Sequence, residues 1–209
     1  MKWTNILLND IRGNQIHEIY EYSFPDGERL SFTKILENVA SGRDIFYTLE
    51  ENGVVRSFAL VRRLSDHKMI YLEYIATNKL FRNQGWGGKL LKEIIDDLSN
   101  DKFTAGILLE VESPDDKDIR LEEKLMRLSR IEFYKKRGGI IINDGGAYRM
   151  PNFSGSGSIA MRLMWIPFSP HYQNYPIKDL RKMLTQFYAD SYERGENDPL
   201  LQSIIKSIP

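Results

Sequence analysis

The chain has 209 residues, 42% hydrophobic and 28% charged, with 29 Lys plus Arg balancing 29 Asp plus Glu to a formal net charge of zero. That size and balance fit one compact soluble domain, with or without an appendage, and they exclude a nucleic-acid partner, which would call for a basic excess. The chain holds no cysteine, so disulfides, thiolate metal sites and covalent thiol catalysis are excluded together.

Met1 to Asp10 carries one lysine and a brief apolar stretch at Ile6-Leu7-Leu8, too short for a secretory signal. No run reaches the roughly 18 apolar residues of a membrane span. The expectation is a cytoplasmic protein with no membrane partner. Ser31 to Ala40 places Phe32, Ile35, Leu36 and Val39 on one helical face, ended by Ser41-Gly42. Ile45 to Glu51 and Val54 to Arg62 read as strands joined by Asn52-Gly53, a hairpin signal. A turn at Ser65-Asp66-His67 leads to a third strand, Met69 to Ala76, so three antiparallel strands in succession are expected.

The period then changes. Gly87 to Asn100 carries Leu90, Leu91, Ile94, Ile95 and Leu98 at helical spacing. Ala105 to Val111 is short, apolar and bounded by turn residues, which suits a buried strand. Ile119 to Arg137 reads as a helix with Leu121, Leu125 and Leu128 aligned, basic residues in its last turn and Gly138-Gly139 to stop it. Gly139 to Ile142 and Ile159 to Ile166 are the closing strands, and Asn143 to Ser158 between them reads as one long loop. Beyond Pro167, Ile177, Leu180, Leu184, Phe187 and Tyr188 share a helical face, and Asp198-Pro199 opens a short helix with Leu200, Leu201, Ile204 and Ile205. The expected organisation is a domain over 1–167 with a C-terminal helical extension over 168–209. The apolar faces of that extension suit packing on the domain and a homodimer contact alike.

The most informative residues are Arg82, Asn83, Gln84, Gly85, Trp86, Gly87, Gly88 and Lys89, between a strand and an amphipathic helix. Glycines there let a ligand approach the backbone. The unpaired first-turn amides and the helix dipole make an anion site suited to a pyrophosphate, with Arg82 and Lys89 adding charge. The plain alternative is a tight strand-to-helix turn. A dinucleotide-binding turn fails twice: Leu90 occupies its third glycine position, and Thr77 to Phe81 separate the strand from Arg82.

Tyr74-Ile75-Ala76-Thr77 followed by Arg82-Asn83-Gln84-Gly85-Trp86-Gly87 resembles the acetyl-CoA motif Q/R-x-x-G-x-G/A of the GNAT superfamily of N-acetyltransferases. Phe133-Tyr134-Lys135-Lys136-Arg137-Gly138 is similar to that family's F-Y-x-x-x-G segment, with Gly139 where the family often has phenylalanine. The resemblance spans roughly residues 30 to 167. It implies an α/β (α+β) fold with a mixed, mostly antiparallel central sheet flanked by helices. It also implies an acyltransferase that uses acetyl-CoA as acyl donor without a metal and acetylates an amine of a small molecule or peptide. By the same resemblance Ile75, Ala76 and Thr77 pair with the pantetheine arm, Gln84 to Lys89 hold the pyrophosphate, and Tyr134 is the general acid, the plain alternative being a helix tyrosine buried against the core. The base is open between Glu73 and Glu110, the latter sharing a strand face with Glu112; for either, a structural ion pair is the plain alternative. The acids of Glu110 to Asp118, opposed by Lys117 alone within that stretch, suggest attraction of a cationic acceptor or simply a solvated loop. His17, His67 and His171 lack metal-ligand spacing. A non-catalytic acetyl-CoA-binding regulatory module is the second function consistent with these motifs.

Overall fold

The computed structural model describes residues 2–3, 11–64, 68–102, 104–116, 119–142, 145–175 and 177–208. The expected turn at 65–67, with His67, lies outside them, as do Asn143 and Lys117. The fold is mixed α/β, and each strand pair described below is antiparallel. The chain divides into two compact units, residues 1–63 with 70–102 and residues 64–69 with 103–209.

In the first unit, strand β1 (Lys2–Trp3) pairs with β2 (Asp44–Glu51), β2 with β3 (Val54–Arg63) and β3 with β4 (Met69–Thr77). The β2–β3 hairpin turns on Asn52 and Gly53 at φ 52° and 74°, the left-handed pair a two-residue loop needs. Helices α1 (Ile11–Ser23) and α2 (Phe32–Ala40) set Ile16, Ile19, Tyr20, Phe32, Ile35 and Val39 against Phe46, Phe58, Leu60, Tyr74 and Ala76 of the strands. The alternate residues Tyr47 and Ser57 meet α3 (Trp86–Leu98), through Asp97 and the Trp86 carbonyl. Strand alternation thus places α1 and α2 on one face and α3 on the other.

In the second unit, β5 (Gly106–Glu112) pairs with β8 (Ser158–Pro167), which also pairs with β6 (Ile140–Ile141) and β7 (Arg149–Pro151). Helix α4 (Leu121–Lys135) packs on β5. Helices α5 (Leu180–Tyr192) and α6 (Pro199–Ser207) bury Leu180, Met183, Leu184, Phe187, Tyr188, Leu201 and Ile204 within this unit. Tyr188 donates to the Arg149 carbonyl of β7 and Trp165 of β8 to the Tyr172 carbonyl, so residues beyond Pro167 pack intrachain.

Three expectations need correction. The stretch 143–158 is not one loop, because β7 forms inside it and closes a hairpin with β8. Leu121, Leu125 and Leu128 do align, but they are exposed; α4 buries Arg127, Ile131 and Tyr134 instead. The third is the segment before Ser31, for which no helix is expected: α1 forms there, its buried Gly13, Ile16, Ile19 and Tyr20 interleaved with polar residues.

Candidate functional site

In the first unit the candidate residues run along one stretch of chain. Ile75, Ala76 and Thr77 pair with Ala59, Phe58 and Ser57 at the end of β4. The chain then forms a single 3-10 turn, Lys79–Phe81, capped by the Asn78 side chain accepting from Leu80 N–H. Asn83 at φ 62° and Gly85 at φ 85° bend it into α3. The first bond of α3 runs from Lys89 N–H to the Gly85 carbonyl, at 2.9 Å. The amides of Trp86, Gly87 and Gly88 precede it and so lie outside the helix ladder. With the helix dipole behind them and no side chain on Gly85, Gly87 or Gly88, they fit a pyrophosphate. Arg82 is exposed and held by the Thr77 carbonyl (3.3 Å) and Ser23 (3.5 Å), over the Tyr22 ring. Gln84 donates to the Leu80 carbonyl, and the Lys89 ammonium lies 5.5 Å from the Trp86 ring centre.

Glu73 sits two residues before Ile75, but its carboxylate is engaged elsewhere. Leu60 faces Tyr74 and Val61 faces Leu72, so Glu73 is the extra residue of a β-bulge. Its Oε2 lies 3.1 Å from Arg62, which also grips Asp44 with two hydrogen bonds of 2.7 and 3.0 Å. All three side chains are at most 6% exposed. Burial works against the charge on Arg62, and the two carboxylates outweigh it, raising its pKa. Glu73 thus belongs to a buried ion-pair group on Arg62.

In the second unit Tyr134 lies near the end of α4, a residue 7% exposed with its ring edge-on to Phe133. Its hydroxyl makes no hydrogen bond to a described residue. Burial raises its pKa above the ordinary phenol value, and the Arg130 and Arg137 charges offset only part of this, so the proton is retained at neutral pH. Two glycines fix the helix end. Arg137 and Gly139 both donate to the Tyr134 carbonyl (2.9 Å), while Gly138 turns at φ 85°. A Cβ on Gly139 would stand 2.9 Å from that carbonyl oxygen, so a larger residue there would require the helix end to shift.

The Glu110 carboxylate is engaged by two other tyrosines. Its Oε1 accepts from Tyr148 and from Tyr192 of α5, each at 2.6 Å, and the two hydroxyls lie 3.3 Å apart. Burial first, then the Glu110 charge, hold both phenols protonated, so both donate. Phe153, Phe187 and Tyr188 surround the Tyr192 ring. The sequence carried no signal that residues 148 and 192 meet a strand glutamate.

The acid run after Glu110 is not a bare anionic patch. Arg130 pairs with Glu112, Arg162 with Asp115 at 2.5 Å, and Arg127 with Asp116 at 4.0 Å. His17 stacks on Phe32, and His171 packs against Tyr172. Among the described residues no group of His, Asp and Glu could hold a metal, and no helix is long and apolar enough to cross a membrane.

A sequence profile of the acetyltransferase (GNAT) family matches residues 13–126. No curated protein sequence matches the chain. Among solved structures it is similar to a protein from Bacteroides thetaiotaomicron assigned to the GNAT acetyltransferases, with TM-score 0.69, 22% identity, 90% of this chain and 96% of that one covered. It is also similar to the ribosomal-protein-S18-alanine N-acetyltransferase of Escherichia coli, with TM-score 0.54, 21% identity, 81% and 95% covered. A third likeness is to an aminoglycoside 6'-N-acetyltransferase complexed with coenzyme A, with TM-score 0.60, 15% identity, 81% and 98% covered. At these identities the likeness is one of fold.

Proposed function

The chain belongs to the GNAT acetyltransferase family, and from that premise we propose that it moves the acetyl group of acetyl-CoA onto an amine of a small molecule or peptide, by direct attack with both substrates bound. The observation that carries this reading is the set of amides of Trp86, Gly87 and Gly88, ahead of the first bond of α3 and just after β4. They take the pyrophosphate, with Gln84, Gly85 and Lys89 around them and Arg82 and Asn83 at the entry, while the backbone of Ile75 to Thr77 pairs with the pantetheine arm. Bound acetyl-CoA supplies a thioester, whose carbonyl the amine attacks and whose thiolate must be protonated as it leaves.

Tyr134 supplies that proton. Its phenol is neutral, buried and unbonded to any described residue, the condition of a donor held ready. The amine must arrive without its own proton, and an ammonium of pKa about 10.4 is overwhelmingly charged at pH 7. Arg62 already binds Glu73, and two phenol donors already bind Glu110. Deprotonation therefore falls to solvent, and Glu110 anchors the amine by its charge rather than acting as a strong base.

The test is thiol release from acetyl-CoA with polyamines, aminoglycosides, amino acids and peptides, including an N-terminal alanine peptide. The last and the aminoglycosides correspond to the acceptors of two structural neighbours, the ribosomal-protein-S18-alanine and aminoglycoside 6'-N-acetyltransferases. Release with one amine class, with both substrates required before product leaves, supports the reading. Tight coenzyme A binding with no release for any amine would make the protein a regulatory binding module instead.

A further inference from the structure

We propose that Arg56 is a positioning residue for the pyrophosphate end of coenzyme A, fixing the shape and adding to the positive potential of the Phe81–Lys89 loop. The proposal rests on the reading of that loop as the pyrophosphate site.

Glu50 faces Val55 and Leu49 faces Ser57, so Arg56 is the extra residue of a β-bulge, a device that re-aims a side chain. Its guanidinium carbon lies 3.6 Å from the centre of the Phe81 ring and 5.9 Å from that of Trp86. Those two aromatics bracket Arg82 to Gly85, so one side chain touches both ends of the bend. The backbone reinforces the attachment. The Arg56 carbonyl accepts from Asn78 N–H at 2.9 Å, where the chain leaves β4, and Ser57 Oγ reaches the Trp86 carbonyl at 3.5 Å.

The chemistry of this side chain exceeds what filling space requires. Arg56 is 9% exposed, and its Nε makes no hydrogen bond to a described residue. One terminal nitrogen meets Glu51 at 3.1 Å, but that carboxylate is itself half exposed. Burying a guanidinium with an idle donor is unfavourable, and a methionine would pack against Phe81 without that cost. A cation stacked on Phe81 and near Trp86 adds what methionine lacks. It grips the rings by cation–π attraction, which strengthens when desolvated, and it adds positive potential to the helix dipole where a pyrophosphate would lie.

The experiment is calorimetric titration of coenzyme A into the wild type, Arg56→Gln, Arg56→Lys, Phe81→Leu, Arg63→Gln and Gly87→Glu, with thermal midpoints to confirm folding. Arg56→Gln and Phe81→Leu are expected to weaken coenzyme A about tenfold. Arg56→Lys should fall between, keeping the charge but losing the flat stack. Arg63→Gln, an exposed arginine on the same strand that pairs with Asp101, should bind like the wild type. The double variant Arg56→Gln/Phe81→Leu should be no weaker than its worse parent, since both remove one contact. The KM for acetyl-CoA should rise in step at little-changed kcat, whereas the KM for S-acetylpantetheine, which has no pyrophosphate, should stay at its wild-type value. Wild-type coenzyme A affinity in folded Arg56→Gln or Phe81→Leu would overturn the proposal, and if the Arg56 variants do not fold, Phe81→Leu decides it. Gly87→Glu separates the two readings. If it binds normally, the loop is not the pyrophosphate site; if it alone loses binding, only the role of Arg56 is wrong.

Discussion

Replacing Tyr134 by phenylalanine isolates one proton. The ring stays in its buried position against Phe133, and the hydroxyl that is lost has no hydrogen bond to a described residue. No partner is left unsatisfied, so the unfolding free energy should change by less than about 1 kcal/mol. Coenzyme A affinity should hold as well, because the candidate amides lie on α3. The reaction loses its general acid, a loss of about 10²-fold in kcat, or about 2.7 kcal/mol of barrier. Thiol release at saturating acetyl-CoA and amine measures this directly, and a more activated thioester, whose thiolate leaves without help, should narrow the gap. The pH profile adds an independent check. An acid works only below its own pKa, and burial raises that of Tyr134 above the ordinary phenol value of 10.0. The wild-type rate should therefore rise with pH as the amine loses its proton and show no alkaline fall up to pH 10. A folded Tyr134→Phe variant with at least half the wild-type kcat would refute the acid role. Loss of more than about 2 kcal/mol of stability with kcat intact would mark the residue as structural.

Glu73→Gln removes one carboxylate from the buried Asp44–Arg62–Glu73 group and should cost about 2–4 kcal/mol; an unchanged urea midpoint would contradict the ion-pair assignment. Gly106→Ala would put a Cβ 2.3 Å from the Ile166 carbonyl oxygen and 2.7 Å from the Trp165 ring, so it should destabilise by about 3 kcal/mol or more, and a melting temperature equal to wild type would show that β5 and β8 can move apart. Asp198 caps α6 by accepting from Leu201 N–H at 3.0 Å. Burial opposes its charge, but that bond and Arg194 overcome it and lower its pKa below 3.8. Asp198→Ala should therefore cost about 1 kcal/mol at neutral pH, and the difference should shrink as pH falls through the lowered folded value; a difference that does not change with pH would point away from the carboxylate's charge.

Legibility of the sequence followed the range of the interactions. The Asn52-Gly53 hairpin is local, and its strands lie within a residue of the expected ends. Trp86–Leu98 is readable from its apolar spacing, as is its glycine-marked start. What escaped depends on distant partners. Glu73 and Glu110 look alike in sequence, two carboxylates in apolar strands; only the packed structure gives one an arginine and the other two phenols. The acid run after Glu110 has only Lys117 against it in sequence because Arg127, Arg130 and Arg162 lie far along the chain. Leu121, Leu125 and Leu128 have helical period, but periodicity does not say which face is covered, and here it is the one bearing Arg127 and Tyr134.

The bond from Tyr192 to Glu110 also bears on the order of synthesis. Every strand among the described residues of the second unit has been made once Pro167 is added, yet Glu110 still lacks one of its two phenol donors, and Leu184, Phe187 and Leu201 have not arrived to be buried. The last two helices are therefore the last parts of this unit to be made, and its apolar seat stays open until α6 has emerged. A fragment ended at Pro167 would be frozen at that stage, with a half-satisfied carboxylate beneath an open apolar seat, and should accumulate in inclusion bodies where the full chain stays in solution.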